Sequence, residues 1–574
     1  MEKYVLKIEN YEDFYQDGPE LKNQFIDDFL LQSYLKRMLP KKIQNEINQD
    51  LTRFGDRVIS DIYDMGIDAE KNEPFLKQYD VWGKKINDVV VSQGWKELDK
   101  VSSEEGLIAI GYERNYQEFS RIYQFAKLYL FTPSSAVYTC PLAMSDGAAK
   151  LIEVYGDQKL KETAYNRLIS TDPSKFWTST QQMTERTGGS DVARALTIAE
   201  PTDENSVYKL FGHKWFVSAI TAQMGMTLAK IRQDDGNVIP GSRGLSLFYM
   251  EMRNQDGSYN GIEIEALKDK LGTRALPTAQ MSLNGTKSYL VGEPGNGVKK
   301  IATLFNVTRI YNALSAVSFM RRGIALSKDY AFKREAFKKT IIDHPLHVLS
   351  LARMQVELEG AFHLTFFEVS LMGKEECGIA TSDEIALLRL FTPIAKLYTA
   401  KQSIEVVSSH LETIGGIAYL EESGFPKLLR DTQVLSIWEG TPAIMALDML
   451  RAIEKDSAYL PLIRFITNKL ELIVDTTFQL EKDYISESFQ KLQEFFEFAN
   501  SKGKEYLSLS AIDVLYSIAR ITIAVLLLEH AQWCKENNEY PNAIFVVKEW
   551  CKKDLTPFKK IENLDVEHYK AIIK

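Results

Sequence analysis

One segment in the C-terminal half, IWEGTP, places a single carboxylate, Glu439, in a tight turn. Thr441 is a favourable N-cap residue and Pro442 suits the first position of a helix, so a helix is predicted to begin directly after the turn. Glu439 would then lie on a short loop at a helix N-terminus, where Ile437 and Trp438 are expected to shield it from water. A carboxylate held in this way can act as a general base. On these residues alone, the alternative is a loop glutamate that interacts favourably with the positive end of the following helix.

A second polar segment, QMTERTGGSDV at residues 182–192, combines hydroxyl groups with two adjacent glycines. The glycines allow a ligand to approach the backbone closely, and the hydroxyls of Thr184 and Ser190 can donate to a phosphate or to a ring carbonyl. The segment therefore predicts a loop that binds a ligand, and a hydrophilic connection between strands is the alternative.

The third segment, GHKWFVS, has the alternation of a strand. Alternation places Trp215 and Val217 on one face and Phe216 and Ser218 on the other. Phe216 would offer a surface on which a planar ring can stack, with a hydroxyl beside it. Ordinary packing within a sheet explains Phe216 equally well.

The composition limits the class of protein. The chain has 574 residues, of which 45% are hydrophobic, and a formal net charge of −9, which is typical of a large globular protein and argues against a general binder of polyanions. The four cysteines lack the paired spacing of a zinc site or a disulfide framework, so we expect no metal and a reducing, cytoplasmic location. The polar, acidic N-terminus does not resemble a signal peptide, and the apolar run Ile521–Leu528 is too short to span a membrane.

The order of the elements predicts an α+β protein with segregated layers. Apolar residues at helical spacing dominate residues 1–175, short alternating segments occupy 176–292, and long helical segments follow in 293–454 and 455–574. We expect an N-terminal helical domain, a middle β domain, an antiparallel four-helix bundle and an additional C-terminal helical domain. The predicted strands are 195–200, 207–211, 215–219, 224–230, 245–252 and 262–267, and the predicted bundle helices are 299–331, 345–373, 382–414 and 442–454.

Six segments, in this order along the chain, resemble motifs of the acyl-CoA dehydrogenase family. They are TERTGGSD (184–191), GHKWFVS (212–218), LGTR (271–274), REAF (334–337), LETIGG (411–416) and WEGT (438–441). The loop MTERxGGSDV, the strand GHKWFxS and the helical extension of about 120 residues past the bundle are similar to the AidB-like branch of that family.

The resemblance implies a flavoprotein oxidoreductase with FAD as its cofactor and an acyl-CoA thioester as its substrate. Glu439 would remove the α-proton while the β-hydrogen leaves as hydride to the flavin, giving a trans-2-enoyl-CoA. Some family members carry the base directly before the arginine of the first bundle helix, but that position is Thr308 here, which leaves Glu439 without a rival.

The resemblance also assigns binding residues. FAD contacts would come from Met183, Thr184, Gly189, Ser190, Phe216, Ser218 and Thr441 of one subunit and from Arg334, Phe337, Glu412 and Gly416 of a partner, and acyl-CoA contacts from Ser190, Arg309, Trp438 and Gly440. A shared site implies a homo-oligomer, a dimer or a tetramer. For Arg309 a structural ion pair is the alternative, and for Arg334 a solvated charge on a helix. Lys338 departs from the family pattern, which usually has glycine there.

Two other functions are alternatives to dehydrogenation. The AidB-like branch is associated with DNA, but residues 451–574 contain 17 Lys and Arg against 19 Asp and Glu, so a nucleic-acid partner is not expected. A regulatory protein that binds acyl-CoA with little turnover is the other alternative. If the protein is a dehydrogenase, its resemblance implies a role in fatty acid metabolism and an electron-transfer flavoprotein, or a similar acceptor, as redox partner.

Overall fold

The N-terminal part of the chain forms helices, as the apolar spacing predicts. The computed structural model describes residues 16–561 and 566–574. The helices are α1 (Phe29–Met38), α2 (Lys41–Arg57), α3 (Asp61–Lys71), α4 (Gln93–Glu104), α5 (Ala109–Glu113), α6 (Ser120–Phe131), α7 (Thr139–Tyr155), α8 (Gln158–Leu160) and α9 (Asn166–Leu168). In α2, the side chains of Ile47, Leu51 and Phe54 recur at helical spacing and are fully buried.

A β-hairpin interrupts this helical domain, and the sequence analysis does not predict it. Its strands are β1 (Phe75–Tyr79) and β2 (Lys85–Val90), which pair antiparallel. The turn depends on Asp80, whose carboxylate accepts from the backbone N–H of Trp82 at 2.8 Å. Val89 is buried in the core of the β domain that follows, so the hairpin packs as an extension of that domain.

A buried ion network joins the N-terminal domain to the helical bundle. Arg121 on α6 is 1% exposed and contacts the carboxylates of Asp146 at 2.9 Å and Glu376 at 2.6 Å. Tyr112 and Tyr311 also donate to Asp146, each at 2.8 Å. Because both carboxylates are buried, the guanidinium that bonds them offsets part of the cost of burying their charge where these helices pack together.

The middle domain is a closed β structure. Its strands are β3 (Ser179–Gln182), β4 (Ile198–Pro201), β5 (Val207–Ser218), β6 (Met224–Ile231), β7 (Leu245–Glu251), β8 (Ile262–Leu267) and β9 (Thr278–Leu290). The strands pair in the order β3-β6-β4-β5-β9-β7, with β8 beside β9, and β7 pairs with β6 as well, so the sheet closes on itself.

Strand β5 corrects two of the predictions. Segments 207–211 and 215–219, predicted as separate strands, belong to one strand of 12 residues. Its register against β9 shifts between Lys214 and Val217, which marks a bulge and interrupts the strict alternation expected there. The predicted hairpin is confirmed as β4 and β5, although β4 begins only at Ile198.

The bundle follows its prediction closely. Its helices are α10 (Gly297–Lys333), α11 (Pro345–Glu376), α12 (Ser382–Ile414) and α14 (Pro442–Lys455), with the short strands β10 (Glu335–Ala336) and β11 (Lys339–Thr340) and the short helix α13 (Phe425–Val434) in the connections. The start of α12 is set by Thr381 and Glu384, which form a reciprocal capping box.

The C-terminal domain shares one core with the bundle. Its helices are α15 (Tyr459–Glu471), α16 (Gln479–Lys502), α17 (Lys504–Asn537), α18 (Asn542–Trp550) and α19 (Val566–Ile573). A single apolar cluster includes side chains of α11, α12, α14 and α15–α18. The indole of Trp550 lies where a Cβ on Gly360 of α11 would come within 2.4 Å, so the bundle helix needs glycine there. Within the described residues, α17 alone is apolar and long enough to cross a membrane, but 78% of its apolar window is buried inside the protein, so it is a core helix here.

Candidate active site

Glu439 lies in the turn between α13 and α14 in a left-handed backbone conformation. Its φ is +56°, and that of Gly440 is +117°. A non-glycine residue in this region costs on the order of 1 kcal/mol and persists where the surrounding structure imposes it. A Cβ on Gly440 would lie 2.4 Å from the Met445 side chain, so that position requires glycine. The next helix begins at Pro442 as predicted, but the Thr441 hydroxyl makes no capping bond.

The carboxylate of Glu439 is held between the β domain and the bundle. The side-chain amide of Gln181 on β3 donates to its Oε1, and the hydroxyl of Thr308 on α10 donates to its Oε2 at 2.7 Å. Glu439 itself is half-buried. Neither partner is predicted from the sequence. For Thr308 the sequence gives one signal, its position directly before Arg309 on the first bundle helix, where some family members carry the base.

Two cations hold the main chain of this turn. Arg309 donates from Nε to the carbonyl of Glu439 at 3.3 Å, and Lys396 on α12 donates to the carbonyl of Gly440 at 2.6 Å. Arg309 also forms an ion pair with Asp448 on α14 at 2.8 Å, so the structural ion pair weighed for it is present. Lys396 is fully buried, and burial lowers the pKa of its ammonium to about 7, although the charge of Glu439 opposes that decrease.

The two apolar neighbours of Glu439 differ in their surroundings. The indole of Trp438 is half-buried against α10 and donates to Asn312. Ile437 is 57% exposed, so the expectation that it shields Glu439 is wrong within one chain. Cys140 on α7 lies near the carboxylate, and burial, together with the charge of Glu439, raises the pKa of its thiol to about 12. This neighbour is therefore an uncharged thiol.

The predicted ligand-binding loop is anchored by Glu185. This buried carboxylate accepts from the ammonium of Lys214 on β5 at 2.9 Å. Burial lowers the pKa of Lys214, and the pairing with Glu185 opposes that effect. Glu185 and Lys214, although they belong to the sequence motifs, therefore stabilise the loop and do not face a ligand. The loop that they hold leaves Gly189 and Ser190 exposed.

The loop lies directly beside the exposed part of β5. The backbone N–H of Trp215 donates to the carbonyl of Thr184 at 2.9 Å, which brings Thr184 next to Phe216. The ring of Phe216 is 52% exposed, whereas Met183 is buried and Ser218 is half-buried. Among the predicted residues of this region, Phe216, Gly189 and Ser190 are therefore the ones open to a ligand from solvent.

Gln181 connects the carboxylate to this loop. It contacts Glu439 and precedes Thr184 by three residues, about 10 Å of extended chain. The structure therefore brings Glu439, the anchored loop and the exposed ring of Phe216 into one region.

Arg334, Phe337, Glu412 and Gly416 lie at the far end of the bundle. Thr308, which contacts Glu439, is about 38 Å along α10 from the C-terminal end of that helix. Arg334 is the first residue after that end. All four residues are exposed; Phe337 is 92% exposed, as it would be if it contacted another molecule. The structure does not bring them to Glu439 within one chain.

The ends of α10 and α12 meet at this second location. The hydroxyl of Ser327 lies 2.7 Å from His410 Nδ1 and 2.7 Å from the hydroxyl of Thr413, so the two helix ends are bonded together. Phe337 and Lys338 form the turn between β10 and β11 with φ values of +52° and +65°. Lys338 thus adopts the left-handed conformation for which glycine is favoured. The lysine at this position, where the family usually has glycine, therefore does not prevent the turn.

Within residues 16–561 and 566–574, no group of three or more His, Cys, Asp or Glu side chains is arranged to hold a metal ion.

Comparison with known proteins covers almost the whole chain. Four family models match consecutive segments: the adaptive response protein AidB N-terminal domain over 19–172, the acyl-CoA dehydrogenase middle domain over 180–286, the acyl-CoA dehydrogenase C-terminal domain over 295–454 and an acyl-CoA dehydrogenase 11 C-terminal domain-like model over 462–572.

Two relatives and one solved structure are similar over most of their length. Acyl-CoA dehydrogenase family member 11 of Caenorhabditis elegans is 40% identical over 528 residues, which is 90% of this chain and 86% of that protein. The putative acyl-CoA dehydrogenase AidB of Escherichia coli K12 is 31% identical over 69% of this chain and 72% of that protein. The crystal structure of Caenorhabditis elegans ACDH-11 in complex with C11-CoA has a TM-score of 0.94 at 39% identity and covers 97% of this chain and 96% of that one. The chain therefore belongs to the acyl-CoA dehydrogenase family, in its AidB-like branch.

Proposed function

We propose that this protein is an FAD-dependent acyl-CoA dehydrogenase that converts an acyl-CoA thioester into the trans-2-enoyl-CoA. The observation that carries the proposal is the carboxylate of Glu439, which stands on a left-handed turn, is bonded by Gln181 of β3 and Thr308 of α10, and lies in the same region as the exposed ring of Phe216. The related ACDH-11, solved with C11-CoA, supports an acyl-CoA as the class of substrate.

The residues present fit FAD. The exposed ring of Phe216 lies beside Thr184, and the open backbone at Gly189 and Ser190 can receive a planar group with polar edges. The Thr441 hydroxyl makes no capping bond to α14, so it can bond a ligand. Met183 and Ser218 would complete this side of the site. When bound, FAD supplies an acceptor for hydride, and the chain supplies the groups that hold and orient it.

The remaining cofactor residues fit a second subunit. Arg334 follows the end of α10, about 38 Å along that helix from Thr308, and Phe337, Glu412 and Gly416 lie at the same end of the bundle, so they would reach the cofactor of a partner and not that of their own chain. A guanidinium is well suited to pyrophosphate oxygens. This separation supports a homo-oligomer, a dimer or a tetramer, as the working form.

In the proposed reaction, Glu439 takes the α-proton of the substrate onto a carboxylate oxygen. The electron pair of that C–H bond stays on the α-carbon and forms the double bond as hydride leaves the β-carbon. Within the described part of the chain the backbone N–H of Glu439 has no hydrogen-bond acceptor, so it is available to the thioester oxygen. Ser190, Trp438 and Gly440 would contact the acyl-CoA, and Arg309, already paired, would hold the turn. A positioned base contributes roughly 10²–10⁴-fold.

The test is anaerobic titration of the flavin-loaded protein with a panel of saturated acyl-CoAs, followed by flavin absorbance. We expect bleaching with at least one chain length. Glu439→Gln should abolish bleaching while FAD stays bound, and Glu422→Gln, at an exposed glutamate, should behave as the wild type. Bleaching by the Glu439→Gln variant would contradict the role of Glu439, and a wild type that binds acyl-CoA without bleaching would favour the regulatory alternative.

The structure offers no observation in favour of nucleic acid as a partner. In the basic cluster of the C-terminal domain, Lys552, Lys553 and Lys560 each form an ion pair with a glutamate. These carboxylates reduce the positive charge that the three lysines present. An electron-transfer flavoprotein, or a similar acceptor, is the class of partner that the proposed reaction requires for reoxidation.

A further inference from the structure

We infer that Gln181 is a positioning residue that holds the Glu439 carboxyl group in both of its protonation states, with Thr308 acting in the same way on the other oxygen. This inference rests on the proposed function, because it concerns the proton that Glu439 would accept.

The position of Gln181 is set by the strand that carries it. β3 is paired in parallel with β6, and Gln181 lies opposite Met226 in that pairing. Its amide nitrogen donates to Glu439 Oε1, and its own amide oxygen is buried and accepts no hydrogen bond from the described residues. A carboxylate can only accept, so the nitrogen is the atom that faces it.

Proton transfer to Glu439 reverses the requirement at this contact. The carboxylate accepts hydrogen bonds, but the carboxylic acid formed by taking up the α-proton must donate one through its O–H. A half-turn of the Gln181 amide replaces the N–H donor with the amide oxygen, which has no other partner to lose. The number of hydrogen bonds at the site is therefore the same before and after the proton arrives.

Thr308 has the same capacity at the second oxygen. Its hydroxyl lies 2.7 Å from Glu439 Oε2 and 3.1 Å from the carbonyl of Phe305. Its single proton can bond the carboxylate, or it can turn to Phe305 so that the hydroxyl oxygen accepts from a protonated Glu439.

The charged groups nearby contact other atoms. Arg309 on α10 and Lys396 on α12 bond the main-chain carbonyls of residues 439 and 440, and Asp448 on α14 pairs with Arg309. Cys140 on α7 is a further titratable neighbour, and its thiol is uncharged. A cation bonded to the carboxylate would favour only its ionised form. Two neutral partners that can both donate and accept are better suited to a base that must alternate between its ionised and protonated forms.

The variants that test this inference separate the hydrogen bond from the fold. Gln181→Met removes the amide at similar length, and Gln182→Met removes the neighbouring amide of the same strand as a control. Thr308→Val removes the hydroxyl, whereas Thr308→Ser retains it. Thermal unfolding of each variant reports whether it folds, and if Gln181→Met does not fold, the Thr308 pair decides the question.

Two readouts are required, and one of them is independent of turnover. The first is an infrared pH titration of the protonated carboxyl band that is lost in Glu439→Gln. The second is the pH profile of flavin reduction at saturating acyl-CoA. In Gln181→Met and Thr308→Val we expect the protonated band to appear at a pH about one unit higher, because the ionised form loses a donor and hydrogen bonds to charged groups are the stronger ones.

The rate should fall roughly tenfold in kcat with a smaller change in KM, and the acidic limb of the profile should move by the same pH interval as the band. Gln182→Met and Thr308→Ser should titrate as the wild type does. Unchanged band midpoints in both Gln181→Met and Thr308→Val would overturn the inference. Shifted midpoints in a protein that no acyl-CoA reduces would uphold the positioning of Glu439 and refute the proposed dehydrogenation instead.

Discussion

Glu368 on α11 is a buried carboxyl group whose removal should make the protein more stable at alkaline pH. It is fully buried, and burial raises its pKa from 4.5 to about 8, although the charge of Arg309 opposes that increase. The Thr392 hydroxyl donates to the carbonyl of Leu388 at 2.8 Å, so its proton does not bond Glu368. Neither carboxyl oxygen of Glu368 accepts a hydrogen bond from the described residues.

The sign follows from proton binding. Between pH 4.5 and pH 8 the folded protein retains a proton on Glu368 that the unfolded chain releases, so stability decreases as pH rises through this interval. The gap of about 3.5 pH units corresponds at most to roughly 4–5 kcal/mol, of which about 3–4 kcal/mol is lost between pH 5 and pH 8.

The assay is urea unfolding of wild type, Glu368→Gln and Glu375→Gln at pH 5 and pH 8. Glu375 is an exposed glutamate of the same helix and serves as the control. We expect Glu368→Gln to unfold at higher urea than the wild type at pH 8 and to differ little at pH 5, while Glu375→Gln follows the wild type throughout. Parallel pH dependence in wild type and Glu368→Gln would refute the reasoning, because it would mean that this carboxyl group does not titrate in the interval.

Three further variants test other parts of the structure. Arg121→Met leaves buried Asp146 without its cation and Glu376 with only Lys150 at 3.6 Å, and should lower the free energy of unfolding by about 3–5 kcal/mol in urea; a loss below about 1 kcal/mol would show that the network is not required. Arg334→Ala should release FAD during gel filtration with the helical circular dichroism unchanged, and full retention would leave Arg334 as a surface charge. Gly440→Ala combines a φ of +117° with a clash against Met445, so we expect a lower Tm and loss of acyl-CoA-dependent bleaching, whereas wild-type behaviour would show that the turn can rearrange.

The long elements of this fold are predictable from the sequence because their signals are local. The long helices carry many turns of apolar spacing, and their ends coincide with strong signals such as Pro345 at the start of α11, the capping box at the start of α12 and the left-handed Gly503 between α16 and α17. The hairpin β1–β2 escapes prediction because its strands are short and its apolar side chains bury against a different domain.

The candidate site also contains one part that local sequence predicts and another that it does not. The position of Glu439 in a turn before a helix can be predicted from neighbouring residues, and the resemblance to a family singles it out as a base. Its partner Gln181 is 258 positions away, and the contact depends on how the β domain sits against the bundle, which no local pattern encodes. The exposure of Ile437 was mispredicted for the same reason, since apolar character alone does not say which side of a turn faces the interior.

The contact between Trp550 and Gly360 determines what can be removed from this protein. The last helices fill a notch in α11 and contribute to the same apolar cluster as α12 and α14. A version shortened after Lys455 would therefore expose the outer side of three bundle helices, including those that carry Lys396 and Asp448. We expect such a version to aggregate, which makes the C-terminal domain a part of the minimal folding unit and not a dispensable appendage.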